Sequence, residues 1–73
     1  MLNENILHVN TIGKTIKLKF GKENPVLSQT IYDDVLGVPK KTFRKYVKNE
    51  KQPRIDELQR IATWLGVKAK DLF

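Results

Sequence analysis

The chain has 73 residues, 40% of them apolar, and a formal net charge of +6, with no cysteine and a single histidine. A domain of this size buries only about 60% of the surface its unfolded chain exposes, which leaves little room for a deep catalytic cleft. The composition excludes a disulfide framework, a redox pair and a thiolate metal site; His8 alone cannot form a zinc centre, and no apolar run nears the roughly 18 residues of a membrane span.

No signal-peptide pattern opens the chain, so a cytoplasmic protein is expected. Its apolar content argues for a folded domain and against a disordered basic tail. The charge is concentrated: Lys40 to Arg54 holds seven cations (Lys40, Lys41, Arg44, Lys45, Lys48, Lys51 and Arg54) against one acid, Glu50. Residues 1–27 carry +2, residues 28–39 carry −2, and residues 55–73 are neutral. A cationic block between apolar helical patterns is the electrostatic footprint of a surface that meets nucleic acid, and the competing meaning of such a run is a solvated helix face.

Residues 1–27 admit two readings. Thr15-Ile16-Lys17-Leu18-Lys19-Phe20 alternates polar and apolar as a half-buried strand does, and Ile6 to Val9 can pair with it across Asn10-Thr11-Ile12-Gly13 as a hairpin. Val9, Ile12, Ile16 and Phe20 equally fit a helical stripe. β-Branching and the breakers Gly21 and Pro25 favour the hairpin, which would turn Ile16, Leu18 and Phe20 to the core and leave Lys17 and Lys19 outside, as a wing on DNA or an edge for a second subunit.

Ser28 can cap a helix over about 29–36, with Ile31, Tyr32 and Val35 or Leu36 inward. Gly37-Val38-Pro39 joins it through a very short turn to a helix over about 40–48, in which Phe43, Tyr46 and Val47 form an i, i+3, i+4 stripe and cations fill the remaining arc. Two helices linked this tightly cross steeply, which describes a helix-turn-helix unit. Asn49 can take the left-handed conformation at the end of the second helix. Pro53 marks the start of a helix over about 54–65, carrying Ile55, Leu58, Ile61, Ala62 and Leu65, with Asp56 and Glu57 in its first turn and Gly66 as its stop. A short helix over about 68–72 turns Val67 and Leu72 inward.

From Leu27 onward the chain resembles the Cro/repressor-type helix-turn-helix family (lambda repressor-like, XRE) of phage and bacterial regulators. The residues that carry the resemblance are Leu27-Ser28-Gln29, Gly37-Val38, Thr42-Phe43, Lys48-Asn49-Glu50-Lys51-Gln52-Pro53, Ile55, Leu58, Ile61-Ala62, Leu65-Gly66-Val67 and Asp71-Leu72-Phe73, with no gap from Gly37 to Phe73. The chain departs from the pattern in four places. Straight counting puts Tyr32 and Asp33 where the family has a Leu-Ala pair, so Ile31-Tyr32 are expected to fill those roles in a helix with one extra residue. Pro39 and Arg54 stand at capping positions usually held by a hydroxyl residue, and the family's first helix has no clear match. The expected fold is a single, mainly α, lambda repressor-like domain over residues 1–73 of about four helices, with an N-terminal β-hairpin in place of the usual first helix.

The resemblance implies that the helix over 40–48 lies in the major groove, with Lys40, Lys41, Arg44 and Lys45 reading bases. Arg44 is the strongest reader, because its planar guanidinium can bond guanine O6 and N7 together. It also implies backbone contacts from Ser28, Gln29, Thr42, Lys48, Asn49, Lys51 and Arg54. Trp64, Leu72 and Phe73 are candidates for a dimer contact, since useful operator affinity usually comes from two domains on paired half-sites. The expected function is a sequence-specific, Cro-like transcriptional regulator of phage or mobile-element type, acting on double-stranded DNA as a homodimer that can form on DNA alone. No cofactor, metal, membrane or small-molecule partner is expected. A DNA-bending accessory protein and an antitoxin-type autoregulator are the alternatives. An enzyme is the least expected class: no Cys-His or Ser-His-Asp set and no glycine-rich phosphate loop is present.

Overall fold

Ile12 and Ile16, one helical turn apart, are both wholly buried, and they decide the first element. In the computed structural model, which describes residues 10–22 and 24–73, Ile12–Phe20 is an α-helix, α1. The expected strand over Thr15–Phe20 is therefore corrected to a helix, and its proposed pairing segment, Ile6 to Val9, lies outside the described residues. Leu18, which a strand would have turned inward with Ile16, is 82% exposed. Gly13 explains how the helix seats: a Cβ there would stand 3.0 Å from the Val47 carbonyl oxygen and 3.1 Å from Val47 Cγ1, tighter than side-chain carbons usually come, so a larger residue would have to push α1 and Val47 apart. Gly21, at φ 80°, ends α1 and returns its N–H to the Lys17 carbonyl.

The next helical segment starts at Gln29 and continues as a π-helix over Ile31–Leu36, which we label α2. Bonds that span five residues instead of four accommodate one additional residue in the turn. That winding buries Tyr32 and Leu36, half-buries Ile31 and leaves Asp33, Asp34 and Val35 exposed, so of Val35 and Leu36 it is Leu36 that turns inward. Gly37 takes φ 66° and donates to the Tyr32 carbonyl, as does Val38 at 3.1 Å.

Pro39, extended, hands the chain to α3 (Lys40–Val47), and its carbonyl accepts from the Phe43 N–H at 2.8 Å. Asn49 closes α3 with φ 61°, as anticipated. Helix α4 (Ile55–Leu65) buries Leu58, Ile61, Ala62 and Leu65 and stops at Gly66, φ 75°. Ile55 does not join that stripe: it sits in the first position of the helix, beyond the edge of the core, and is 75% exposed. The chain finishes in a 3₁₀ turn over Ala69–Leu72, with Leu72 fully buried and Val67 half-buried.

Helix α4 is the centre of the assembly. It packs against α2, α1 and the 3₁₀ turn, while α1 also reaches α3. A run of aromatic rings crosses all four helices: Tyr32 meets Phe43 edge-on at 6.0 Å, Phe43 meets Trp64 edge-on at 6.1 Å, and Trp64 stacks on Phe20 at 5.4 Å. The two ends of the described chain meet where the Thr11 N–H donates to the Leu72 carbonyl at 2.6 Å. The architecture is a small, mainly helical domain, with no strand among the described residues.

Candidate nucleic-acid interface

Helix α3 is divided by its own sequence. Phe43, Tyr46 and Val47 are buried and anchor it, and Lys40, Lys41, Arg44 and Lys45 are all exposed, with Thr42 half-buried between them. Lys48 and Lys51 continue the exposed cationic surface into the loop that follows. Among the described residues the side-chain ion pairs are confined to Arg54, so no acid in the described structure neutralises any of these six cations.

The arrangement works against the helix that bears it. Lys40 and Lys41 occupy the positive end of the helix dipole, and the first turn has no acid. Lys40 with Arg44, Lys41 with Lys45, and Arg44 with Lys48 are like charges at i, i+4 spacing, each unfavourable by about 0.2–0.5 kcal/mol. The helix is held by its buried stripe, which leaves the cationic arc free to face a partner.

Behind that arc, an amide network fixes the loop after α3. Asn10, only 3% exposed, donates its side-chain amide to the Tyr46 carbonyl at 3.0 Å and to Gln52 Oε1 at 2.8 Å. Its backbone N–H donates to Asn49 Oδ1 at 2.7 Å, and its carbonyl accepts from Asn49 Nδ2 at 3.2 Å. Asn10 Oδ1 accepts from the Ile12 N–H at 2.9 Å, so one side chain both starts α1 and clamps the loop bearing Lys48 and Lys51. Sequence reasoning placed Asn10 in a turn and gave it no role. It also assigned Asn49 to the DNA backbone, whereas the structure turns the Asn49 amide inward to Asn10, and Gln52 Nε2 donates to Asn49 Oδ1 at 3.1 Å.

Gln29 and Arg54, also expected to contact DNA, bond to acids within the chain. Gln29 Nε2 donates to Asp33 Oδ1 at 3.0 Å along its own helix. Ser28 is exposed, and its carbonyl accepts from the Ile31 N–H at 3.1 Å. The Arg54 guanidinium folds back to Asp56 at 3.5 Å and Glu57 at 3.7 Å. Glu57 Oε1 in turn accepts from the Arg54 N–H at 2.9 Å and from the Tyr46 hydroxyl at 2.7 Å. Burial first, then the bond to Glu57 and its negative charge, push the Tyr46 phenol up to about 12.

The three proposed dimer residues separate. Phe73 is 58% exposed, Trp64 is half-buried between Phe20 and Phe43, and Leu72 is 0% exposed. Leu72 is corrected from a dimer contact to a core residue, because the 3₁₀ turn points it under α4. Among the described residues no cluster of three His, Cys, Asp or Glu side chains is placed to hold a metal, and no helix is long and apolar enough to cross a membrane.

The chain matches no family model, no curated protein and no solved structure. Its function has to be argued from the geometry of α3 and the loop behind it.

Proposed function

We propose that the protein is a sequence-specific, double-stranded-DNA-binding transcriptional regulator, with α2 and α3 forming a lambda repressor-like helix-turn-helix pair and α3 lying in the major groove. The observation that carries this reading is the arc of Lys40, Lys41, Arg44, Lys45 and Lys48, every member exposed and none paired with an acid of the described structure. A solvated helix face has no reason to concentrate like charges at i, i+4 and at the wrong end of the dipole, whereas a polyanion removes both penalties at once. Arg44, in the middle of the arc, is the base reader; Lys40, Lys41 and Lys45 flank it on base edges. Lys48 and Lys51 take phosphates from a loop whose position Asn10 sets. In this reading two copies bind paired half-sites, with dimerisation completed on DNA, and the protein works in the cytoplasm at the nucleoid, as a Cro-like repressor of phage or mobile-element type.

The experiment is a titration of fluorescent duplexes, one from the protein's own upstream region and one scrambled, at several salt concentrations. Preference for the native duplex, lost in Arg44→Ala while affinity for the scrambled duplex changes little, is the expected result. Equal, salt-sensitive binding to both would overturn sequence-specific control at that site, and no binding at low salt would overturn DNA binding altogether.

A further inference from the structure

In the residues that lead into α2, 24–28, the side chains alternate in exposure. Pro25 and Leu27 are half-buried, with Leu27 packed on the core, while Asn24, Val26 and Ser28 face outward. Asn24 and Val26 line one hollow together with Lys40, Phe43, Arg44 and Val47 of α3.

Val26 is 94% exposed, more than Leu18 at 82% or Ile55 at 75%. A lone exposed valine ordinarily needs no explanation. This one lines a hollow together with two of the cations assigned to base reading, and it is flanked by Pro25, which fixes one backbone angle, and by Leu27, which packs on the core. A helix that carries Lys40 and Arg44 to the base edges of a major groove brings a side chain lining the same hollow to that groove with them. Of the four bases, thymine alone presents an apolar group there, its 5-methyl.

Resting on the reading that α3 enters the major groove, we propose that Val26 is a specificity-determining residue: its isopropyl group covers the 5-methyl of a thymine next to the position read by Arg44 and Lys40. Removing one methyl from that contact is worth roughly fourfold in affinity. The contact adds thymine selectivity at a position that the cations of α3 cannot discriminate by charge.

The test starts by selecting preferred sequences from randomised duplexes with the full chain. Each thymine of the selected site is then replaced by deoxyuridine, which deletes only the methyl group, and binding is measured for the wild type, Val26→Ser and Val26→Ile. At one thymine per bound copy, the wild type should lose about fourfold on methyl deletion. Val26→Ser should bind both duplexes equally, and Val26→Ile should restore the difference. All three should unfold at the same temperature, because the side chain is outside the core. A selected site with no methyl-sensitive thymine, or a methyl effect of equal size in Val26→Ser, would overturn the assignment and leave DNA binding intact. Failure to bind any duplex would remove both this contact and the reading beneath it.

Discussion

Glu57 receives three groups from two residues: the Tyr46 hydroxyl, the Arg54 N–H and, at longer range, the Arg54 guanidinium. This carboxylate fastens the base of α3 to the start of α4, and burial, followed by the bond to Glu57 and its charge, raises the Tyr46 phenol pKa from 10.0 to about 12. The raised value has a definite sign. The folded state holds the proton more tightly than the unfolded state, so the contribution is complete below pH 10 and is lost as pH climbs from 10 to 12. Denaturation midpoints across that window should fall in the wild type and fall less steeply in Tyr46→Phe, which should cost about 1 kcal/mol at neutral pH. Asn10 supports the same region from the other side. Asn10→Ala removes the partners of the Tyr46 carbonyl, the Gln52 side-chain amide and the Ile12 N–H and should destabilise by about 1–3 kcal/mol in chemical denaturation. Asn49→Gly separates the two roles of Asn49: glycine accepts φ 61° without strain, so the fold should persist while DNA affinity drops through a loosened Lys48–Lys51 loop, measurable in the same duplex titration.

At the scale of elements, α1 is the sharpest contrast between sequence and structure. Ile16, Leu18 and Phe20 alternate like a strand, while Ile12 and Ile16 repeat like a helix, and local pattern alone does not rank the two. What ranks them is a receiving surface contributed by distant residues: the Val47 backbone against Gly13, and Trp64 under Phe20. Gly13→Ala should therefore cost about 1–3 kcal/mol by forcing α1 away from α3, whereas Leu18→Lys should stay within about 0.5 kcal/mol. Thermal unfolding of the two variants checks both, and a large loss in Leu18→Lys would reinstate an inward-facing Leu18. Helix α3 was legible almost to the residue, expected over about 40–48 and found over Lys40–Val47, because its buried and charged faces are as different as side chains allow. Helix α2 was legible in extent, expected over about 29–36 and found from Gln29 to Leu36, but its π winding over Ile31–Leu36 has no signal in the apolar spacing. The Asn10 network was not legible, since its partners lie 36 to 42 positions along the chain and leave no local trace.

Over the whole molecule, charge and core are kept apart. The +6 of the chain coincides with the segment Lys40 to Arg54, and the acids Asp33 and Asp34 are confined to α2. If α3 and its loop neutralise phosphates, the slope of log affinity against log salt should become shallower by about one for each of Lys48→Ala and Lys51→Ala, equally on native and scrambled duplexes. Unchanged slopes would place those lysines in solvent. Leu72 bears on integrity rather than binding: Leu72→Ala opens the core under α4 and should cost about 2–5 kcal/mol. The aromatic run carries a consequence of another kind. The chain has one tryptophan, and it lies between Phe20 of α1 and Phe43 of α3. Its emission is therefore a natural optical gauge placed where α1 and the cationic helix α3 meet α4. Displacement of either helix alone changes the ring's surroundings, so a shift in emission on adding DNA would register a rearrangement transmitted through the core, and a constant spectrum would mark a domain that docks as a rigid body.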